Sequence, residues 1–433
     1  QGRDAILSGP AGGIVGAART AEMAGFTDIV TFDMGGTSTD VALYAGQFER
    51  SFETVVAGVR LRAPMMAINT VAAGGGSILH FDGSRYRVGP DSSGAVPGPA
   101  CYRRGGPLSV TDANLLAGRI APKFFPHVFG PHGDQPLDEA VVQEKFKALA
   151  AEIGEAEPRR VAEGFLRIAV ANMANAIKQV SVQKGHDVTG CALQCFGGAG
   201  GQSACMVADE LGIETILVHP FAGVLSAYGM GLADQSALRE GAVELTLEPG
   251  VVGALQSRLD ALAAEGRQAL AAQGADASGV RVVRTVLVRY AGTDTPLPIP
   301  FDADHAAMVE SFTALHRRRF GFATPERPLV AEAVAVEAIA PGEAVEERKL
   351  AAREGVLPPP DATTALFHGG AAHQAPIFLR ESLRAGDRIP GPALIAEANA
   401  TTVVDPGWQA ELTRMAGVLE ALAHVAGERT TEE

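Results

Sequence analysis

The residues with the most chemistry to offer lie close together: Asp33, Gly35, Gly36, Thr37, Ser38, Thr39 and Asp40, all within TFDMGGTSTDVALY, Thr31 to Tyr44. Glycine has no Cβ and tolerates φ > 0, so successive backbone N–H groups at Gly35 and Gly36 can converge on one anion. Thr37, Ser38 and Thr39 add hydroxyl donors. Asp33 at the strand end and Asp40 after the turn can hold a hydrated divalent cation or orient a water. Anion donors and cation ligands in one loop are what a phosphate chain with its magnesium requires. A tight turn whose glycines serve geometry alone is the plainer alternative. The stretch is not a Walker A loop, because it lacks G-x-x-x-x-G-K-[ST] and a strand, not a helix, follows it.

Two further glycine clusters bear on the choice. In CFGGAGGQSACMVADELG, Gly197, Gly198, Gly200 and Gly201 fall between an apolar strand and the start of a helix. Backbone can approach a flat ligand there, and the helix N-terminus favours negative charge. Gly74, Gly75, Gly76 and Ser77 follow another strand-like run, and either line the same cleft or form a β-bulge.

These loops need a frame, and the hydrophobic periodicity supplies one. A small-residue helix is expected from about Gly12 to Ala24, followed by a hairpin made of DIVTFDM and TDVALYAGQFE. Val55 to Ile78 continues in strand-like runs. Helices are expected over Leu137–Ile153 and Val161–Gln183, the second with Val161, Phe165, Ile168, Met173, Ile177 and Val180 on one stripe. A strand at ALQCF, the glycine loop, a helix to Leu211 and a strand at TILVHP come next. Residues 1–235 therefore read as an α/β lobe, and 236–433 as a smaller second domain. That domain carries helices near 251–273 and 304–320, a strand at 282–290, then short strands and a polar tail, HVAGERTTEE, expected to be mobile.

Composition narrows the function classes. With 433 residues, 47% hydrophobic and 20% charged, the chain is long enough for two globular domains. Its net charge of -14, with no basic block, argues against nucleic acid as a partner. Val188–Ala208 and Thr215–Ala233 are long enough to cross a membrane but are interrupted by glycines, so no membrane span is expected. Cys101, Cys191, Cys195 and Cys205 lack the paired spacing of a zinc site and fit a reducing, cytoplasmic setting. The first residue, Gln1, is not an initiator, so a fragment or processed piece is expected.

DMGGTSTD together with FGGAGG resembles the phosphate and adenosine loops of the actin, Hsp70 and sugar-kinase superfamily, whose lobes are ribonuclease-H-like. SGPAGG, INTVAAGGGSILHFDG, VGPDSSGAVPGPACYRRGGPLSVTDANLLAGRI, FFPHVFGPHGDQPLD and LSAYGMGLAD look like the hydantoinase A and 5-oxoprolinase family. RYAGTDTPLP and IPGPALIAEANATTVVDPGWQAELT resemble that family's carboxy-terminal α+β domain, and FGPHGDQPLD with RYAGTDTPL favours the oxoprolinase branch. The resemblance implies ATP-driven opening of a cyclic amide, 5-oxo-L-proline to L-glutamate, with ATP and Mg²⁺ as cofactors. It implies phosphate contacts from Gly35, Gly36, Thr37, Ser38 and Thr39, roles at the metal or the attacking group for Asp33 and Asp40, and nucleoside contacts from Gly197, Gly198 and Gly200, with Gly75 lining the cleft. It further implies an upstream hydantoinase A lobe and a hydantoinase B-type subunit or domain as partners, in an oligomer, so that this polypeptide alone is an incomplete catalyst. Ser203 stands where the family more often has His.

Three other readings remain open: the A subunit of a hydantoinase or ketone carboxylase, a small-molecule kinase of the same superfamily, and a nucleotide-sensing scaffold. Arg103 and Arg104 are candidates for a substrate carboxylate. Asp112 and Asn114 serve either as a helix cap or in a cleft. Cys101 has no evident base and reads as structural, and the scattered histidines show no metal spacing, His186 being the one to watch.

Overall fold

A computed structural model describes residues 8–51, 54–56, 59–61, 65–276, 279–342, 350–352, 356–414 and 418–423. The expected tail at 424–433 lies outside these. The chain divides into two compact units, one of residues 1–182, 186–231 and 346–433, the other of 183–185 and 232–345.

The first unit is built on an eight-stranded sheet. Its strands in chain order are β1 (Asp28–Met34), β2 (Thr39–Ala45), β3 (Asn69–Val71), β4 (Ala192–Phe196), β5 (Thr215–Val218), β6 (Arg388–Pro390), β7 (Trp408–Leu412) and β8 (Leu419–Ala423). They lie in the order β6-β7-β8-β5-β4-β1-β2-β3. β1, β4 and β5 run parallel and the other pairs are antiparallel. β4 is buried along its whole length, as a central parallel strand covered on both faces must be.

Helix Pro158–Val180 buries Val161, Phe165, Met173, Ile177 and Val180 of the anticipated stripe and leaves Ile168 half-buried. Helix Ser8–Met23 begins about a turn earlier than expected, because Pro10 sits in the first turn, where no N–H partner is required. It crosses helix Leu225–Leu232 at glycines: a Cβ on Gly229 would come 2.0 Å from the Gly12 carbonyl oxygen and 2.4 Å from the Gly16 nitrogen.

The compact units are not contiguous in sequence. Residues 388–423 return to the first sheet, where β8 covers the edge of β5 that would otherwise stand unpaired. A four-stranded sheet of Ala362–His368, Ala371–Leu379, Ala393–Ala396 and Thr401–Val404 belongs to the same unit. One buried ion pair bridges the distant segments of this unit: the Arg119 guanidinium meets the Asp405 carboxylate with both nitrogens, at 2.8 and 2.6 Å.

The second unit is the smaller α+β part. An antiparallel sheet of Gln235–Thr246, Leu329–Ala340, Arg281–Tyr290 and Leu297–Pro300 packs with helices Val252–Ala272 and His305–Phe320 around Leu255, Leu259, Val286, Phe312 and Val334. Among the described residues, no helix is long and apolar enough to cross a membrane.

Candidate active site

β1, β4 and β5 all end at the same side of their sheet, and each is followed by a glycine-bearing loop. Crevices at the carboxyl ends of parallel strands are where open α/β sheets bind ligands.

The β1–β2 hairpin turns through Gly35, Gly36, Thr37 and Ser38, closed by a bond from the Gly35 N–H to the Ser38 carbonyl at 3.0 Å. Glycines 74–76 dock on its back. The Gly75 N–H donates to the Gly35 carbonyl at 3.0 Å and the Gly76 N–H to the Gly36 carbonyl at 2.6 Å. In a planar trans peptide the N–H points opposite to the C=O. The amides of Gly36 and Thr37 are therefore turned away from that support, toward the exposed side of the hairpin. Among the described residues, neither they nor the Ser38 N–H find a protein acceptor.

The glycines act differently from the expectation. Neither Gly35 nor Gly36 has a positive φ. A Cβ on Gly36 would meet no protein atom within 4 Å, and one on Gly35 only the Ser38 carbonyl at 3.8 Å. Neither backbone strain nor internal packing demands glycine here, and the space a side chain would fill lies open beside the free amides. Gly74 is the reverse case: a Cβ there would sit 2.6 Å from the Ser38 nitrogen, so its role is close support. Gly75 likewise spends its N–H on the hairpin, and its own carbonyl accepts from the Thr111 N–H and hydroxyl at 2.8 and 2.9 Å. It backs the site and does not line it.

Thr39 is also turned inward. It pairs with Met34, is fully buried, and donates its hydroxyl to the Ala73 carbonyl at 2.5 Å, which removes it from the set of free donors. Thr37 is exposed and Ser38 half-buried.

Asp33 and Asp40 are directly paired across β1 and β2, hence on one face of the sheet. Burial, then the neighbouring Asp40 charge, pushes the Asp33 carboxyl up to about 6. Thr70 donates to Asp40 from β3, and the Ser226 hydroxyl lies 3.5 Å from Asp33, opposing the shift. Two adjacent carboxylates beside outward amides fit a magnesium ion shared with phosphate oxygens, since magnesium is commonly held by one or two carboxylates and keeps several waters. Among the described residues no set of three or more metal-ligating side chains occurs, so phosphate and water would complete the shell.

The loop after β4 runs alongside. Gly197 has φ +83, and a Cβ on it would come 2.5 Å from an Asp33 carboxylate oxygen. The Ala199 N–H donates to the Met34 carbonyl at 3.0 Å, fastening this loop to the hairpin. Gly200 packs on Cys195, whereas Gly198 is open, with the Asn399 carbonyl at 3.6 Å its nearest contact.

Other candidates resolve as structural. Asp112 is fully buried and accepts from the Ala100, Cys101 and Ser109 N–H groups at 2.8–3.0 Å. Asn114 donates to Gln202. Arg103 is committed to Asp138 at 2.8 Å and the Pro136 carbonyl at 2.7 Å, and Cys101 is buried with its thiol pushed far up. His186 lies 3.4 Å from Glu49, and Ser203 is buried. Ser226 was not singled out in the sequence, although it lies within LSAYGMGLAD; it arrives at the start of the helix that follows β5, far in sequence from Asp33.

Profiles described as hydantoinase/oxoprolinase and hydantoinase/oxoprolinase C-terminal domain match residues 1–239 and 248–416. 5-Oxoprolinase 1 of Arabidopsis thaliana is 39% identical over 434 residues, covering 96% of this chain and 34% of the relative. The 5-oxoprolinase of Dictyostelium discoideum is 36% identical over 445 residues, covering 98% and 35%. The chain thus spans about a third of the length of these curated relatives. The solved ATP-dependent caprolactamase of Pseudomonas jessenii superposes with a TM-score of 0.85 at 27% identity, over 96% of this chain and 61% of that one. The first unit has the α/β fold of an actin-like ATPase lobe, and the chain belongs to the hydantoinase/oxoprolinase family.

Proposed function

We propose that this chain is the nucleotide-holding A part of an ATP-dependent 5-oxoprolinase, which opens 5-oxo-L-proline to L-glutamate. The observation that carries the reading is the hairpin between Asp33 and Asp40: free amides at Gly36, Thr37 and Ser38, an empty space over Gly36, and two paired carboxylates. The higher identity to 5-oxoprolinases than to the caprolactamase alpha subunit, 29%, supports the five-membered lactam.

An unstrained amide is a poor electrophile, so the chemistry begins by activating its oxygen. The lactam oxygen attacks the terminal phosphorus of ATP, and the bond from that phosphorus to the ADP oxygen breaks. Water then adds to the activated carbon, and the ring C–N bond opens as nitrogen takes a proton. A second water releases phosphate from the resulting carboxyl phosphate. Positioning and charge stabilisation are what a protein supplies to phosphoryl transfer. The amides of Gly36 and Thr37 would hold phosphate oxygens, while the Ser226 hydroxyl meets the Asp33 carboxylate and Gly197 leaves room for it. Asp33 and Asp40 are the residues that would hold magnesium, whose charge offsets that of the phosphates.

A complementary hydantoinase A lobe and a B-type subunit or domain complete the catalyst in this reading, within an oligomer. The buried free thiols support a reducing, cytosolic compartment. The test is reconstitution with both partners, assaying ADP and glutamate together. Equal yields from 5-oxoproline are expected. ADP formed with a stable phosphate ester would replace the reading with a kinase, and no ADP under any combination would end it.

A further inference from the structure

Strands Ala393–Ala396 and Thr401–Val404 pair with Ala396 opposite Thr401, and the Glu397 N–H donates to the Ala400 carbonyl at 2.9 Å. This closure repeats that of the Gly35–Ser38 turn, where Met34 faces Thr39 and the first N–H of the turn bonds the last carbonyl. Both hairpins touch the glycine loop after β4: Asp33 and Met34 lie against Gly197 and Ala199, the Asn399 carbonyl against Gly198 and Thr401 against Gly201. Gly197 leaves room for Asp33, while a Cβ on Gly201 would come 2.6 Å from the Thr401 carbonyl.

Asn399 stands at the tip of the second turn. It is the nearest contact of Gly198, and a Cβ on Gly223, in the loop after β5, would lie 2.9 Å from the Asn399 Cβ. The turn is held from behind by the Arg380–Glu397 ion pair at 2.6 Å, whose side chains are only 11% and 10% exposed. Ala398 and Asn399 remain exposed, and among the described residues the Asn399 amide has no hydrogen-bond partner. A rigidly backed turn thus presents one unpaired amide, able both to donate and to accept, at the carboxyl ends of β4 and β5.

We propose that the Glu397–Ala400 turn is the nucleoside wall of the site, with the Asn399 side chain hydrogen-bonding the base or ribose. The Asp33–Asp40 hairpin would hold the phosphates and the Glu397–Ala400 turn, beside Gly198 and Gly223, the nucleoside. This rests on the nucleotide reading above, and the experiment separates the two.

Calorimetric titration of the full chain would use two probes, Mg-ATP and magnesium tripolyphosphate, which lacks a nucleoside. Asn399→Ala is expected to weaken Mg-ATP binding about three- to tenfold, the value of one hydrogen bond, and to leave tripolyphosphate unchanged. Gly36→Val is expected to weaken both. Unaltered Mg-ATP affinity in Asn399→Ala, or equal loss of both probes, would overturn the inference while sparing the nucleotide reading. Failure of the wild-type chain to bind either probe, both alone and reconstituted with the complementary lobe, would remove both. A thermal melt of Asn399→Ala, expected to match wild type because the side chain is exposed, guards against misfolding.

Discussion

Asp33 and Asp40 face one another across the first hairpin, and the first is held protonated to about pH 6 by burial and by the charge of the second. The folded-state value lies above the ordinary 3.8, so the unfolded chain releases this proton first. The cost to stability therefore grows as pH rises from about 4 and is complete above about 6. Asp33→Asn should raise stability by about 1–3 kcal/mol at pH 8, less at pH 5, while lowering turnover of the reconstituted enzyme more than about 100-fold. Melting curves at both pH values check the first part. A gain over wild type no larger at pH 8 than at pH 5 would remove the carboxylate-pair account.

Gly36 and Gly74 should respond oppositely to a side chain. Gly36→Val introduces atoms into space that no protein atom occupies within 4 Å, at an ordinary φ. Its melt should stay within about 0.5 kcal/mol of wild type while Mg-ATP affinity falls tenfold or more. Gly74→Ala forces a Cβ against the Thr37 and Ser38 backbone and should cost about 1–3 kcal/mol. Denaturant titration distinguishes them, and a stable Gly74→Ala protein would contradict the docking described for residues 74–76.

The Arg119–Asp405 pair is buried, the side chains being 2% and 0% exposed. Although burial pushes the Asp405 carboxyl up, the Arg119 charge and the His368 contact outweigh it and leave it below its ordinary value. The stability it contributes is present above the unfolded value and lost as pH falls through the folded one. Arg119→Leu strands a buried carboxylate and should cost about 3–5 kcal/mol at pH 7. Arg119→Leu with Asp405→Leu should recover much of that. Equilibrium unfolding of the single and double variants is the check, and additive losses would refute the coupling.

The hairpin, the glycine loop and the long helix were legible because each announces itself within a dozen residues through alternation, glycine spacing or a 3.6-residue stripe. Alternation also places Asp40 on the face of Asp33 and Thr39 on the opposite one. What local pattern does not encode is which distant segments arrive. Ser226 and Asn399 reach the site from the far side of long intervening stretches, and β6–β8 join a sheet begun by Asp28. The φ of Gly35 and Gly36 belongs to the same class: the residue type permits a left-handed turn, but the hydrogen bonds from Gly75 and Gly76 select another conformation.

The covering of β5 by β8 has a consequence for biosynthesis. A ribosome must deliver Leu419 before the last neighbour of β5 exists, so the central sheet carries a bare edge throughout the translation of some two hundred intervening codons. During that interval the inserted segment 232–345 can fold on its own local contacts, while its host waits and is open to misassociation. Truncation shortly before residue 419 should therefore yield an aggregating chain rather than a smaller working one.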